Sequence, residues 1–287
     1  MESRRSNPRS ANRRAAVVSV AALLAGTGAA SAQGFPLAIE DPLAYFRQSA
    51  ISGGVTGSGP ASMLSPLGPN GPNFLNQAWW WGRVEGQDVR EFAIFRPDMV
   101  VTQPASNHMR AEFNYTAGSP LHITMDFIVQ RGNDGAGVPG ASITLRQGLT
   151  VQNTGSTPIT LSLFNFNNVQ VNGPASHDLA IQTAATQMTF IDGEIPGFRY
   201  VYTAPGASAV QVGSNIRTLL TNSTVNNLVT GVAESGPDNL EVAAQYTLTI
   251  APGQSQTLLV FGSIVPAPGA AALLTLGGLL VARRRRR

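Results

Sequence analysis

The clearest pattern along the chain is an alternation of apolar and polar residues between positions 121 and 129. In the stretch LHITMDFIVQ, five apolar side chains are placed on one face of an extended chain: Leu121, Ile123, Met125, Phe127 and Val129. His122, Thr124 and Asp126 take the opposite face, because successive side chains of a strand alternate. A period of two residues predicts a strand with one buried face.

The same period recurs later in the chain. Residues 143–151, 159–163, 242–250 and 258–264 alternate in this way, and segments rich in Gly, Pro, Asn and Ser separate the runs. At Phe164 the apolar positions change phase, which predicts a bulge or a change of face. No convincing helix and no exact internal repeat interrupts the strands. The pattern predicts an all-β fold, a single antiparallel β-sandwich of roughly eight to twelve strands.

The pattern also divides the chain into four parts. Residues 33–78 contain SGGVTGSGPASMLSPLGPNGPN, which has no sustained period and predicts an irregular Gly/Pro/Ser-rich arm with a short helix near 41–48. Residues 79–264 hold the alternating runs and therefore the sandwich. The two ends, 1–32 and 265–287, have a different composition.

The N-terminal segment 1–32 has the features of an export signal. Arginines precede an apolar run at 15–25, and Ala30-Ser31-Ala32 forms a small-x-small cleavage site before Gln33. We therefore expect a signal peptide that is cut between Ala32 and Gln33. The alternative is a buried N-terminal helix. A twin arginine before the apolar run leaves twin-arginine export open, but the fuller motif is missing, which favours the general secretory route.

The C-terminal segment 265–287 combines three features in a fixed order. Val265, Pro266, Ala267 and Pro268 form a Pro-x-Pro motif, and the uncharged residues 268–282 follow. As a helix these 15 residues are about 22 Å long, short of the ~30 Å hydrocarbon core of a bilayer. Five arginines then act as a stop-transfer signal that stays on the cytoplasmic side: Arg283, Arg284, Arg285, Arg286 and Arg287.

This order resembles the PEP-CTERM sorting signal of exported bacterial surface proteins, in which a Pro-x-Pro motif, a short apolar helix and an arginine cluster follow one another. The resemblance covers residues 265–287 and the signal peptide expected at the other end, and Ala267 stands where the family usually has Glu. It implies export, a transient membrane span through 268–282, cleavage by a membrane-embedded exosortase, and association with exopolysaccharide and biofilm at the cell surface. The alternative is a plain C-terminal membrane anchor.

The distribution of charge argues against nucleic acid as a partner. The net charge of +3 comes from arginines at the two ends, whereas nine arginines face fifteen acidic residues between positions 33 and 268. A mildly acidic body repels a phosphate backbone. The chain contains no cysteine, which excludes disulfides, thiolate metal sites and a cysteine nucleophile.

Known catalytic motifs are missing from the sequence. There is no P-loop, nucleophile elbow or H-E-x-x-H motif. His108, His122 and His177 are scattered, and we expect each to be an isolated side chain, with convergence on a metal as the alternative. Asp192 and Glu194 are expected in a turn, with an acid–base pair or a calcium site as the alternative. We expect no catalytic residue, no metal and no cofactor.

The run AWWWGR leaves two interpretations open. In a strand, Trp79 and Trp81 point one way and Trp80 the other, so the rings either fill the core or form a stacking platform for glycans. The sequence favours an exported, non-catalytic cell-surface or matrix protein that contacts extracellular polysaccharide. The alternative is a secreted carbohydrate-active enzyme of the glycoside hydrolase or lyase type, with a carboxylate pair assembled by folding.

Overall fold

The computed structural model describes residues 37–41, 44–48, 61–96, 98–115, 120–133, 139–171, 177–193, 197–232, 236 and 239–266. All of them belong to one compact unit of the chain. The expected signal peptide, with Ala30, Ala32 and Gln33, lies outside the described residues, and so does everything from Ala267 onward, including Pro268 and the arginine cluster. Within the described ranges, no helix is long and apolar enough to cross a membrane.

Strands make up most of the described structure. In chain order they are β1 (Leu37–Asp41), β2 (Ala44–Gln48), β3 (Ser62–Ser65), β4 (Leu75–Val84), β5 (Phe92–Ala93), β6 (Val100–Ala105), β7 (His108–Tyr115), β8 (Leu121–Asn133), β9 (Pro139–Asn153), β10 (Ile159–Val169), β11 (Asp178–Ala184), β12 (Gln187–Asp192), β13 (Phe198–Thr203), β14 (Ala209–Gly213), β15 (Gly231–Val232), β16 (Glu241–Ile250) and β17 (Ser255–Pro266). One short helix, α1 (Ile216–Thr221), precedes β15. The described residues thus form seventeen strands rather than eight to twelve, because short edge strands and the N-terminal arm add to the alternating runs.

The strands form two large sheets and one small sheet. The eight-stranded sheet has the order β11-β12-β13-β17-β9-β8-β7-β6, and the six-stranded sheet has the order β15-β14-β16-β10-β4-β5. The small sheet is β1-β2-β3. Neighbouring strands run antiparallel except for β14 and β15, which are parallel. The expected all-β fold is confirmed.

The two large sheets pack against each other around a common core. Trp79 of β4 stacks on Phe127 of β8, with 5.7 Å between the ring centroids. Gln147 of β9 donates a 2.9 Å hydrogen bond from Nε2 to Asn167 Oδ1 of β10, so a polar pair also bridges the interior. Sheets joined by interdigitating inner side chains form a β-sandwich, as the alternation predicts.

The strand predicted from residues 121–129 is confirmed as part of β8. Its five apolar side chains are all buried, and Met125, Phe127 and Val129 are fully inaccessible. Thr124 and Asp126 lie on the opposite face and are half-buried. Burying each large apolar side chain contributes about 1.5–3 kcal/mol, and a shift of the register by one residue would expose them all.

The Gly/Pro/Ser-rich arm is more regular than its composition predicts. The expectation of an irregular arm over 33–78 is wrong where the structure describes it, because β1, β2, β3 and the start of β4 lie there. The helix expected near 41–48 is the strand β2. Ile39 and Phe46 are buried, and Phe46 stacks on Phe127 with 5.6 Å between the centroids. A few well-placed apolar residues therefore outweigh the many turn formers around them.

Both boundaries of the expected sandwich also shift. β4 begins at Leu75 rather than at 79, and β17 ends at Pro266 rather than at 264. Val265 and Pro266, the first half of the Pro-x-Pro motif, belong to this last strand and pair with β13. The motif therefore starts inside the sheet.

The change of phase at Phe164 does not arise from the expected bulge. β10 keeps an unbroken antiparallel register with β16 through this region. Both faces of β10 are buried, because α1 and the segment after it cover the outer face of the six-stranded sheet. Arg217 N donates to Glu241 Oε2 and Leu228 N donates to Gln245 Oε1, each at 2.7 Å. A strand buried on both sides needs no alternation.

Candidate functional site

The outer face of the eight-stranded sheet brings together polar residues from three neighbouring strands. β7 contributes His108 and Arg110, β8 contributes Asp126, and β9 contributes Arg146. The register sets Arg110 opposite Asp126, and it sets His108 and Arg146 on either side of Ile128. We call His108, Arg110, Asp126 and Arg146 the outer-face cluster.

Strand alternation explains why these four side chains share a face. Their chain neighbours Met109, Phe127 and Leu145 are fully buried in the sandwich. Because successive side chains point to opposite sides of a sheet, burying those neighbours turns the cluster outward. The hydrophobic core therefore fixes the position of the polar groups.

Asp126 lies at the centre of the cluster. Its Oδ1 is 2.5 Å from His108 Nε2 and accepts a 2.8 Å hydrogen bond from Arg110 Nε. Its Oδ2 accepts a second, 3.4 Å bond from Arg110 Nη2. The side chains of His108 and Asp126 are 16% and 15% exposed, so the pair is shielded yet open to a ligand.

The hydrogen bonds determine which group can carry a proton. Burial alone would raise the pKa of Asp126, but the hydrogen bonds from Arg110 and His108 outweigh it and hold that pKa below its usual range. The bond to Asp126 raises the pKa of Arg110 in turn. Asp126 is therefore an anion at neutral pH. With Nε2 of His108 held by this anion, Nδ1 is the ring nitrogen left to exchange a proton, and it has no hydrogen-bond partner among the described residues.

Arg146 extends the cluster across β9. Its Nε is buried and has no hydrogen-bond partner, and within the described ranges its guanidinium forms no ion pair. Leaving a buried charged donor unpaired costs free energy, and such groups are rare in native proteins. The Nε–H of Arg146 is thus a donor that no described residue accepts from.

Apolar and hydroxyl side chains surround these charges on the same face. Ile128 and Phe261 flank Arg146 through the registers of β8 and β17, and both are half-buried. Thr144 and Ser263 lie beside them and share a 2.9 Å hydrogen bond. Apolar surface next to a few placed polar groups is typical of small-molecule sites.

Two other groups of ionisable residues lie inside the molecule. Arg83 and Glu91 form a buried ion pair. Asp178 is fully buried and pairs with Asp192 across β11 and β12. Burial raises the pKa of Asp178 to about 7 against the hydrogen bond from Val171 N, and the charge of Asp192 adds to the rise. Neither Glu91 nor Asp178 faces solvent, so neither group forms an open site.

The three tryptophans are part of the core. Trp79, Trp80 and Trp81 are at most 1% exposed, so none offers a ring face to a sugar. Trp79 Nε1 donates to Ile94 O at 3.2 Å, and Trp81 packs edge-on against Phe166 with 5.3 Å between the centroids. Of the two interpretations of this run, the glycan platform does not fit these residues, because side chains cover both faces of β4.

The scattered histidines stay apart in the fold. His108 belongs to the outer-face cluster, His122 Nδ1 lies 2.9 Å from Asn114 Oδ1, and His177 immediately precedes β11. In the part of the chain that the structure describes, no three His, Asp or Glu residues are grouped to hold a metal ion. Asp192, expected in a turn, is the last residue of β12.

The sequence did not single out the outer-face cluster. Asp126 was placed on the polar face of its strand, but its partners are 16 and 18 residues earlier in the chain. Glu194 lies outside the described residues, so its expected turn position stays a prediction. A usable signal existed in the outward positions of β7, where His108, Arg110 and Glu112 alternate with buried residues.

Comparisons with known proteins find solved structures whose descriptions concern sugar chemistry. No family model and no curated protein sequence matches the chain. A galactose mutarotase-like protein from Lactobacillus casei aligns over 80% of this chain and 100% of its own, with 8% identity and a TM-score of 0.49. A galactose mutarotase related enzyme from Lactobacillus acidophilus aligns over 82% and 98%, with 6% identity and a TM-score of 0.47. A candidate aldose 1-epimerase from Escherichia coli aligns over 80% and 98%, with 8% identity and a TM-score of 0.45.

The preferred expectation of a non-catalytic surface or matrix protein differs from the way these neighbours are described. Their descriptions name a mutarotase-like protein, a related enzyme and a candidate aldose 1-epimerase, and with TM-scores below 0.5 they assign no activity to this chain. At such low identity the likeness identifies no residue of this chain as catalytic. Any role for a particular side chain must therefore follow from the outer-face cluster itself.

Proposed function

We propose that this chain is a carbohydrate-active enzyme and that the outer-face cluster is its active site. The observation that carries the proposal is the His108–Asp126 pair on a half-buried face, with Nδ1 of His108 unpaired among the described residues. A histidine oriented by an ionised carboxylate is the commonest arrangement for moving a proton to or from a reacting group.

The cluster supports a single proton transfer better than two-carboxylate hydrolysis. A glycoside hydrolase of the usual type needs one carboxylic acid in its protonated form beside a carboxylate. Asp126 cannot supply that acid, because Arg110 and His108 keep it ionised. A lyase-type or epimerase-type reaction fits the side chains that are present. Nδ1 of His108 would take a proton from the sugar, and the imidazolium would give it to the oxygen that leaves as the C–O bond breaks in a lyase-type elimination, or back to the rearranged sugar in an epimerase-type reaction.

The surroundings suit a sugar ring. Sugars present apolar C–H faces and hydroxyl groups together, so they need apolar contacts beside hydrogen-bonding groups. Ile128 and Phe261 supply the apolar contacts on this face, and Thr144, Ser263 and the charged cluster supply the polar ones. The same face therefore offers binding contacts and a proton carrier.

We also propose that the enzyme works outside the cytoplasmic membrane. Support comes from the apolar runs at 15–25 and 268–282, because in each case the arginines lie between the run and the nearer chain terminus. Sorting by an exosortase-like membrane enzyme would then deliver the sandwich to the cell surface, where extracellular polysaccharide is available. Mass spectrometry of surface protein tests this step, and a mature form that still ends at Arg287 would contradict the processing.

The catalytic proposal is tested by replacing the proton carrier. Full-length protein is incubated with a panel of neutral and acidic oligosaccharides, and proton NMR follows changes at the anomeric and ring positions. We expect conversion of at least one sugar, and we expect His108→Gln to lower its kcat about 10²- to 10⁴-fold. Asp126→Asn should lower kcat as well, because the amide no longer holds the imidazole as an anion does.

His122→Gln is the matched control. His122 lies on the same face of β8 and binds Asn114 rather than the cluster, so its loss should leave kcat unchanged. Full activity in folded His108→Gln protein would refute the assignment of the proton carrier. Failure of the unaltered protein to convert any sugar in the panel would refute the enzymatic function.

A further inference from the structure

We infer that the outer face of the eight-stranded sheet binds an anionic saccharide, through Arg146 and Arg199. The inference rests on the proposed function, since it names the class of sugar that the same face takes. The group recognised is a carboxylate or sulfate carried on a sugar chain.

The first observation is that each of the two arginines has a buried Nε–H donor without an acceptor. Among the described residues, the buried charged donors without a hydrogen-bond partner are Nε of Arg146 and Nε of Arg199. The other arginines near carboxylates are paired: Arg110 with Asp126, Arg83 with Glu91 and Arg96 with Asp98.

Both unpaired arginines lie on one face. Arg199 of β13 follows Phe198 and precedes the fully buried Tyr200, so its side chain points to the outer side, as Arg146 does. Two buried Nε–H donors without acceptors on the same side of one sheet can both be satisfied by a ligand that lies on that face. Guanidinium binds carboxylate and sulfate oxygens with its planar fork of donors.

The second observation is the balance of charge. The body of the chain is acidic, with nine arginines against fifteen acidic residues between 33 and 268. Three of these arginines nevertheless lie on this face: Arg110, Arg146 and Arg199. Arg110 pairs with Asp126 and lies 3.9 Å from Glu112, whereas Arg146 and Arg199 form no ion pair within the described residues.

The third observation is the spacing. β17 lies between β9 and β13, so the two arginines are two strands apart, about 10 Å across the sheet. Along the strands, Arg199 pairs with Val265, whereas Arg146 pairs with Phe261, four residues earlier in β17. That offset adds about 13 Å, which gives roughly 16 Å between the two Cα atoms. Two arginines anchored this far apart, both standing upright on the sheet, suit two acidic groups of one saccharide chain.

The surface between the two arginines fits such a chain. Phe261 offers an apolar contact beside Arg146, and the Thr144–Ser263 pair offers hydroxyl groups halfway to Arg199. His108 lies two strands from Arg146 in the same row of the sheet. An acidic group on Arg146 therefore places the ring that carries it beside the proton carrier.

Binding of full-length protein to defined polymers tests the inference. Isothermal titration calorimetry compares polygalacturonate, which carries carboxylates, dextran sulfate, which carries sulfates, and uncharged dextran. We expect at least one charged polymer to bind about tenfold or more tightly than dextran, and the affinity to fall as salt is added. The polymer that binds better identifies the acidic group.

Three variants locate the site. Arg146→Gln and Arg199→Gln should each weaken binding of the charged polymer about tenfold, because each removes one charge-assisted contact. Arg47→Gln is the matched control, since Arg47 is an exposed arginine on β2 and its loss changes the net charge equally. Circular dichroism confirms that each variant is folded.

The outcomes separate this inference from the proposed function. Equal affinity for dextran and the charged polymers, or an equal loss in Arg47→Gln and Arg146→Gln, overturns the inference. Conversion of a neutral sugar that depends on His108, without a preference for anions, leaves the function standing and the inference wrong. Arg146-dependent binding of a charged polymer without conversion of any sugar leaves the inference standing and the function wrong.

Discussion

On the outer face of the six-stranded sheet, Arg83 lies beneath the segment that follows α1, whereas on the outer face of the eight-stranded sheet Arg146 lies half-buried without a partner. Arg83 donates from Nη1 to Glu91 and to Asn226 O, and from Nη2 to Asn227 Oδ1 at 2.7 Å. Nε of Arg146 is buried and donates to nothing in the described structure.

A buried arginine in a sandwich can hold the fold together or face a ligand, depending on whether the protein supplies its acceptors. Where the protein supplies every acceptor, as it does for Arg83, the charge holds a covering segment onto a sheet and leaves no donor for a ligand. Where the protein buries the donor and supplies no acceptor, as it does for Nε of Arg146, the burial costs free energy without stabilising the fold. The arrangement at Arg146 is the one expected of a binding surface. The arrangement at Arg83 holds a covering segment in place.

Stability should fall most when the buried ion pair between Arg83 and Glu91 is broken. Arg83→Met should lower the free energy of unfolding by about 3–5 kcal/mol, because it leaves Glu91 buried and without its cation. Urea denaturation measures this. Arg96→Met is the control, since the Arg96–Asp98 pair is exposed and such pairs contribute little. A loss in Arg83→Met no greater than in the control would show that the buried pair is dispensable.

A second, smaller effect is a pH dependence of stability. It arises because two carboxylates, like the two arginines, differ in whether an oppositely charged group lies beside them. Asp126 has cations beside it, whereas Asp178 is buried with Asp192 and its pKa is raised to about 7. An unfolded Asp titrates near pH 4, so between about pH 4 and pH 7 the folded state binds the extra proton. This stabilisation is complete below pH 4 and is lost as the pH rises through 7.

Asp178→Asn should remove that loss. Between pH 4 and pH 8 we expect the variant to gain about 2–3 kcal/mol of stability relative to the unaltered protein, as followed by urea denaturation at each pH. Asp98→Asn should not change the profile in this window, because the hydrogen bond from Arg96 lowers the pKa of that carboxyl. Parallel curves for Asp178→Asn and the unaltered protein would show that Asp178 titrates normally.

The smallest expected effect is on the unpaired arginine. Arg146→Gln should lower the free energy of unfolding by no more than about 0.5 kcal/mol, because its Nε–H makes no hydrogen bond to another described residue. The same urea experiment measures it beside Arg83→Met. A loss comparable with that in Arg83→Met would mean that Arg146 stabilises the fold, and the contrast between the two faces would disappear.

Much of the fold followed from the sequence because one strand with one buried face is a local pattern. The alternation from Leu121 to Val129 is enough to predict which side chains of β8 enter the core. The pattern misled at Phe164, where a covering segment from elsewhere in the chain buries the second face of β10. The pattern also predicted a helix near 41–48, where the structure has the strand β2. Phe46 of β2 stacks on Phe127, a ring far away in the sequence.

The candidate site was beyond the reach of the sequence for a different reason. His108, Asp126 and Arg146 are ordinary outward residues of three separate strands, and only the register brings them together. The tryptophan run drew attention because it is conspicuous in the sequence, yet large rings are also the side chains that a core buries most favourably. The tryptophan run belongs to the core, whereas the candidate site is formed by ordinary polar residues that alternate with buried ones along β7, β8 and β9.

The position of β17 in the eight-stranded sheet has a consequence for how the protein is made. β17 is the last strand in chain order, yet it lies between β13 and β9, and about a hundred residues separate it from the end of β9. Until it arrives, β11-β12-β13 and β9-β8-β7-β6 are two fragments, each with an unpaired edge that invites aggregation. Pairing over such a sequence distance slows folding to the range of milliseconds to seconds. The larger sheet therefore cannot close until the chain as far as Pro266 is free to fold, and both edges stay exposed until then.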